Sequence, residues 1–184
     1  MRPYSYDPSV NFYFVTSTVL NWINVFTRKL YKDIVIEDLN YYRNHRPLNI
    51  HGYCLMSNHI HLIVSSDEPE AIGETVRDFK RHSAHQIRGL LSKKEESRPW
   101  IIKMMERAGR SNRGNGNFQF WNYGNHPIYI DNQEKLIQRL DYTHQNPVKA
   151  GWVMEPEEYA YSSARNYAGL PAVMEIQMLD LGVN

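Results

Sequence analysis

Along this chain apolar positions follow two periods, alternation in some segments and helical recurrence in others, and the switches between them mark out the elements. Phe12-Tyr13-Phe14-Val15-Thr16-Ser17-Thr18-Val19 is rich in aromatic and β-branched residues and predicts a strand. From about Thr27 to Arg43, Leu30, Ile34 and Leu39 return at helical spacing with Val35 and Tyr42 beside them, and Pro47 closes the segment. Leu48 to Leu55 and His59 to Ser65 then predict two strands joined by the short Met56-Ser57-Asn58 turn, a hairpin. Glu70 to Leu91 sets Ile72, Val76, Phe79, Ile87 and Leu90 on one face, with Arg77, Lys80, Arg81 and Arg88 largely off it. That is an amphipathic helix with a basic outer side.

Between about Ser92 and Asn117 the composition shifts to Lys, Arg, Gly, Ser and Asn, which predicts a mobile basic loop around a short helix at Trp100–Met105. Phe118 to Ile130 holds short strand-like pieces. Asp131-Asn132-Gln133-Glu134 has the acceptor-then-Glu spacing of a capping box, and it opens a helix that Pro147 is expected to end. The order strand, helix, strand, strand, helix, strand predicts an α+β fold, a ferredoxin-like sandwich with an antiparallel sheet, followed by one additional C-terminal helix. One domain is expected over 1–184, with its core at about 11–169 and a tail at 170–184.

Composition narrows the classes without choosing among them. A chain of 184 residues is large enough for a proper core. It has no apolar run long enough to span a bilayer and no apolar stretch of signal-peptide type behind Met1, so a cytoplasmic protein with no membrane partner is expected. Cys54 has no second cysteine to pair with and reads as a small buried residue. The net charge is only +1, but it is unevenly spread. Arg77 to Arg113 holds eleven Lys and Arg against four acids, so that this segment carries +7 and the remainder −6. A surface facing a polyanion has this asymmetry, and so does a solvated basic helix. Arg77, Lys80, Arg81, Arg88, Arg107, Arg110 and Arg113 are the candidate phosphate contacts. Trp100, Phe118, Phe120 and Trp121 are candidate stacking platforms, although each taken singly reads as core first.

The candidate chemistry starts at Asn58-His59-Ile60-His61. Residues two apart on a strand share a face, so His59 and His61 point the same way while Ile60 and Leu62 point to the other side. Two imidazoles on one face can hold a divalent cation. In the last helix Leu136, Ile137 and Leu140 fall on one side, while Gln138, Tyr142 and Asn146 line up on another at four-residue intervals. Tyr142 thus points away from the helix's apolar face, although a half-buried helical tyrosine also packs against neighbours. Asn146 could complete a metal set with its amide oxygen or simply cap the helix before Pro147.

Three stretches together resemble a family. They are Met56-Ser57-Asn58-His59-Ile60-His61-Leu62-Ile63-Val64, then Asp141-Tyr142-Thr143-His144-Gln145-Asn146-Pro147-Val148-Lys149-Ala150-Gly151-Trp152-Val153, then Tyr161-Ser162-Ser163-Ala164-Arg165-Asn166-Tyr167. In this order they resemble the single-tyrosine HUH transposases of bacterial insertion sequences, including the REP-associated tyrosine transposases, over roughly Asn11 to Gly169. Ser57 stands where many relatives carry Pro, and relatives differ at the position of Asn146. The resemblance implies a metal pair at His59 and His61, a third ligand at Asn146 and a nucleophile at Tyr142. It implies cleavage and rejoining of single-stranded DNA through a 5′-phosphotyrosine, often beside a hairpin, and either a monomer or a homodimer. Magnesium prefers oxygen ligands and two imidazoles lean towards manganese or another transition ion, so both Mg and Mn stay open.

Two rival readings are weighed against it. One is a domesticated DNA-binding protein of the same fold that no longer transposes; the retained His59, His61 and Tyr142 argue against it. The other is a nucleotide hydrolase of the histidine-triad kind, which wants a third alternating His where Ile63 stands and a phosphate-cradling Gly loop that this chain does not offer.

Overall fold

The computed structural model describes residues 4–5, 9–93, 96–111, 117–124 and 127–180. Its main sheet is built from β2 (Phe12–Thr18), β3 (Asn49–Leu55), β4 (His59–Ser65) and β5 (Ile128–Ile130), in the order β3-β4-β2-β5 with every neighbouring pair antiparallel. Helix α1 (Lys29–His45) joins β2 to β3, and α2 (Pro69–Leu91) leads from β4 towards β5. The βαββαβ succession of a ferredoxin-like sandwich is therefore present, as the sequence pattern predicts. Helix α4 (Gln133–Lys149) follows it. A short parallel pair, β1 (Tyr4–Ser5) with β6 (Leu179–Asp180), lies outside the main sheet.

Both faces of the sheet are covered. On one face Val15, Ile60, Leu62 and Val64 pack with Ile34, Val35 and Leu39 of α1 and Val76, Phe79 and Ile87 of α2. On the other, Phe12, Phe14, Ile63 and Ile130 pack with Leu136 and Leu140 of α4. This explains why β3 and β4 are buried at nearly every position: a strand with helices on both sides needs no polar face. Gly52 lets α4 come close, because a Cβ there would stand 2.8 Å from Leu140 Cδ1. Beyond β3 the later chain covers the sheet edge. Leu55 N donates to Tyr161 O (2.9 Å), Ser163 N to Tyr53 O (2.9 Å) and Gln177 N to Ile50 O (2.9 Å). The segment read as a tail from 170 thus takes part in the fold.

Three sequence expectations are corrected. Within 92–117, helix α3 runs from Trp100 to Ser111, well past Met105, because Ile101, Met105 and Gly109 repeat at four-residue spacing and bury one face. The N-cap of α4 is Asn132, whose Oδ1 accepts from Lys135 N at 2.9 Å, while Asp131 holds the Lys135 ammonium instead of forming the expected box. Nor does Pro147 end α4. Its ring is buried and the helix closes at Gly151, where φ is 71°, with Trp152 N donating to Pro147 O (3.0 Å) and Gly151 N to Val148 O (2.9 Å). That is a glycine-capped Schellman end, which satisfies the last carbonyls.

Candidate active site

Strand β4 presents His59 and His61 on the face covered by α4, opposite Thr18 and Thr16 of β2. The ring centroids lie 4.7 Å apart. His61 is buried, stacks on Phe14 at 5.2 Å, and places Nδ1 2.8 Å from Thr16 Oγ1. His59 Nδ1 lies 2.7 Å from Asn58 Oδ1. The Asn58 amide nitrogen already donates to Trp22 O and Asn24 Oδ1, both at 3.1 Å, so its oxygen must accept from His59 Nδ1–H. That fixes the tautomer and leaves the lone pair on His59 Nε2.

Helix α4 brings the second half of the site. Leu136, Leu140, Thr143 and Pro147 form its buried stripe, and Tyr142 and Asn146 flank that stripe. The Tyr142 ring meets His61 edge-on at 5.3 Å and Phe14 at 6.0 Å, yet stays 39% exposed, so it is reachable from solvent. Asn146 Nδ2 donates to Tyr142 O at 2.8 Å. Its side chain stands beside both histidines and favours their charged forms. Burial works the other way and more strongly: it lowers His59, and it pulls His61 down to about 3, assisted by His59 and Arg139. The pair is therefore neutral, the state a metal ligand needs.

The residues present fit a divalent cation. His61 Nε2 is buried without a hydrogen-bond partner, and both Nδ1 atoms are anchored as in metal-ligating histidines. Among the described residues no three His, Cys, Asp or Glu cluster together; the Asn146 side chain is a neutral group standing beside both rings. Sequence reasoning missed two cations here. Lys149 Nζ lies 5.4 Å from the Tyr142 ring centroid, and the Arg139 guanidinium 4.9 Å from that of Phe14. The signal was available, because 139, 142, 146 and 149 form one helical stripe. A groove of about 500 Å³ beside Tyr142 is lined by Tyr129, Lys135, Gln138 and Arg139.

The predicted basic surface lies elsewhere. Arg77, Lys80, Arg81 and Arg88 line a groove of about 850 Å³ with Phe118 and Tyr123, between α2 and the segment leading to β5. Lys80 is partly engaged: it donates to Asn122 O at 2.9 Å, and burial lowers it to about 8. Arg77 and Arg81 pair with Glu74 (3.6 Å) and Asp78 (3.1 Å), while Arg88 reaches Glu106 at 3.2 Å and stands over Phe118. Arg107 and Arg110 are exposed on α3. Arg113 lies outside the described residues. Of the candidate aromatics, Phe120 and Trp121 are core, Phe118 is half-buried, and Trp100 is exposed.

Two comparisons bear on this α+β sandwich, one through its sequence and one through its fold. The sequence model described as "Transposase IS200 like" matches residues 13–103, from β2 into α3, and the chain belongs to that family. The match contains both histidines and stops short of Tyr142. The fold is also similar to a solved structure of the REP-associated tyrosine transposase bound to a REP hairpin. The TM-score is 0.62 at 18% identity, with 95% of this chain and 89% of that one covered. No curated protein matches the chain. Among the described residues no helix is long and apolar enough to cross a membrane.

Proposed function

We propose that this transposase cleaves and rejoins single-stranded DNA with Tyr142 as nucleophile, in a reaction that depends on a divalent metal. The observation that carries the reading is the meeting of Tyr142 with His61 at 5.3 Å across two elements, on a helix face that also carries Asn146. When bound, the metal would supply Lewis-acid polarisation of the scissile phosphate, with His59, His61 and Asn146 to hold it. The Tyr142 hydroxyl attacks phosphorus as its proton is lost. The phosphorus–O3′ bond breaks, the departing oxygen takes a proton to become a 3′-hydroxyl, and the 5′ side stays on the tyrosine. Attack on that ester by a 3′-hydroxyl reverses these steps and rejoins strands without ATP. Lys149 adds positive charge beside the Tyr142 ring, and Arg139, over Phe14, adds it along the groove that Tyr142 lines, where the transferred phosphate would sit. The α2 groove, with its basic rim, is suited to a phosphate backbone such as that of a hairpin stem, and the similar solved structure holds a hairpin.

The test is incubation with labelled single-stranded oligonucleotides from DNA flanking the gene, with Mn²⁺ or Mg²⁺. A covalent adduct that requires the metal and maps to Tyr142 is expected. A metal-independent adduct, or none with any flanking strand, would remove the reading.

A further inference from the structure

Beside the histidine pair, two consecutive residues other than glycine adopt left-handed backbone: Asn21 at φ 53° and Trp22 at φ 57°. Asparagine tolerates that region; a bulky tryptophan does so only when its surroundings hold it there. They do hold it. Trp22 N donates to Val19 O at 3.0 Å, and Asn58 Nδ2 donates to Trp22 O at 3.1 Å. The strained turn does not serve to bury the indole, which is 62% exposed and stands edge-on to His59 at 5.9 Å. The same Asn58 amide holds the Trp22 carbonyl and fixes the His59 tautomer, so the Trp22 backbone and the His59 imidazole are tied through one side chain.

From this we infer that Trp22 is a stacking platform for an unpaired nucleobase next to the phosphate held at His59 and His61. The inference rests on the function proposed above. An exposed indole on a fixed backbone offers a flat π face, every base has one, and such stacking is tolerant of sequence. The occupant is argued from continuity: a base one nucleotide away from a phosphate at the pair has the indole within reach, since the indole stands edge-on to His59 at 5.9 Å.

The test is binding, read by fluorescence anisotropy in a Tyr142→Phe background, which cannot cleave. The probes are a labelled single-stranded oligo(dT) and a strand of the same length whose central nucleotides are abasic. The unsubstituted Trp22 protein should prefer the base-containing strand. Trp22→Gly, which suits the left-handed backbone, should weaken binding of that strand by about tenfold or more and leave the abasic strand unaffected, while Trp22→Phe keeps most of the preference. Equal loss on both strands, no loss, or a Phe variant as poor as the Gly variant overturns the assignment. So does a shift from dimer to monomer in Trp22→Gly with base preference intact, which would mark a self-association surface. The adduct assay separates the two readings: a Tyr142 adduct without a Trp22-dependent base preference sinks this inference alone, and the preference without an adduct sinks the proposed reaction alone.

Discussion

The Tyr142→Phe change removes one oxygen and leaves the ring. The ring contacts with His61, Phe14 and Lys149 survive, and the position is partly exposed, so no cavity opens. The effect on stability should stay within about 0.5 kcal/mol, the usual range for surface substitutions, which corresponds to no more than about 2 °C in Tm for a chain of this size. Losing a nucleophile is a change of another order. Rate losses on the order of 10⁶-fold are known for nucleophile deletions in hydrolases, about 8 kcal/mol of barrier. The two magnitudes cannot be confused. In a cleavage assay with Mn²⁺, the variant should give no adduct while its melting curve, metal affinity and single-strand binding match the parent protein. Tyr129→Phe, a second exposed tyrosine in the groove beside Tyr142, serves as control and should cleave normally. An adduct in Tyr142→Phe, or one mapped to Tyr41, Tyr42 or Tyr129, would refute the reasoning.

Replacing His61 by Ala should abolish measurable Mn²⁺ binding in calorimetry and cleavage with it, while single-strand affinity changes little; metal binding at parental strength would place the cation elsewhere. Charge reversal at Arg81 should weaken binding across unrelated sequences and flatten the dependence of affinity on salt, and a selective loss for one sequence would contradict a phosphate role. The fold itself should be acid-sensitive through His51, which is buried between Gln177 O and Ser65 Oγ and is pulled down to about 4 by that burial. Below about 6.5 the unfolded chain takes up a proton that the folded one refuses until about 4. Stability therefore falls as pH drops through that window, and His51→Gln should show a shallower slope there in urea titrations at stepped pH; an identical slope would exclude His51 as its source.

The strand elements were legible because their cue is local. Alternation puts His59 and His61 on one face whatever the rest of the chain does, and the Met56–Asn58 turn needed no tertiary information. The helix face bearing Tyr142 and Asn146 was legible for the same reason. That this face meets His61 was not, since nothing in α4 alone says which side of the sheet it covers; that follows from Phe14, Ile63 and Gly52 together. Pro147 misled because its cost in a helix is a tendency, here offset by burial and by the Gly151 end. Helix α3 was under-read because its charged faces hide a narrow apolar stripe. Trp22 left no trace at all, because no sequence rule assigns a left-handed backbone to tryptophan.

Helix α4 is also the roof over one side of the sheet, and the chain after it seals the β3 edge. A copy of this gene cut short within α3, where the family match ends, would keep both histidines and lose Tyr142. It would also bare Phe12, Phe14 and Ile63 and leave Ile50, Tyr53 and Leu55 with unpaired backbone, an invitation to aggregation. Decay by truncation thus leaves debris, not a folded DNA binder. A lineage that silences the chemistry but keeps a useful DNA-holding body has to do so by point substitution at the tyrosine or its neighbours, with the C-terminal half retained whole.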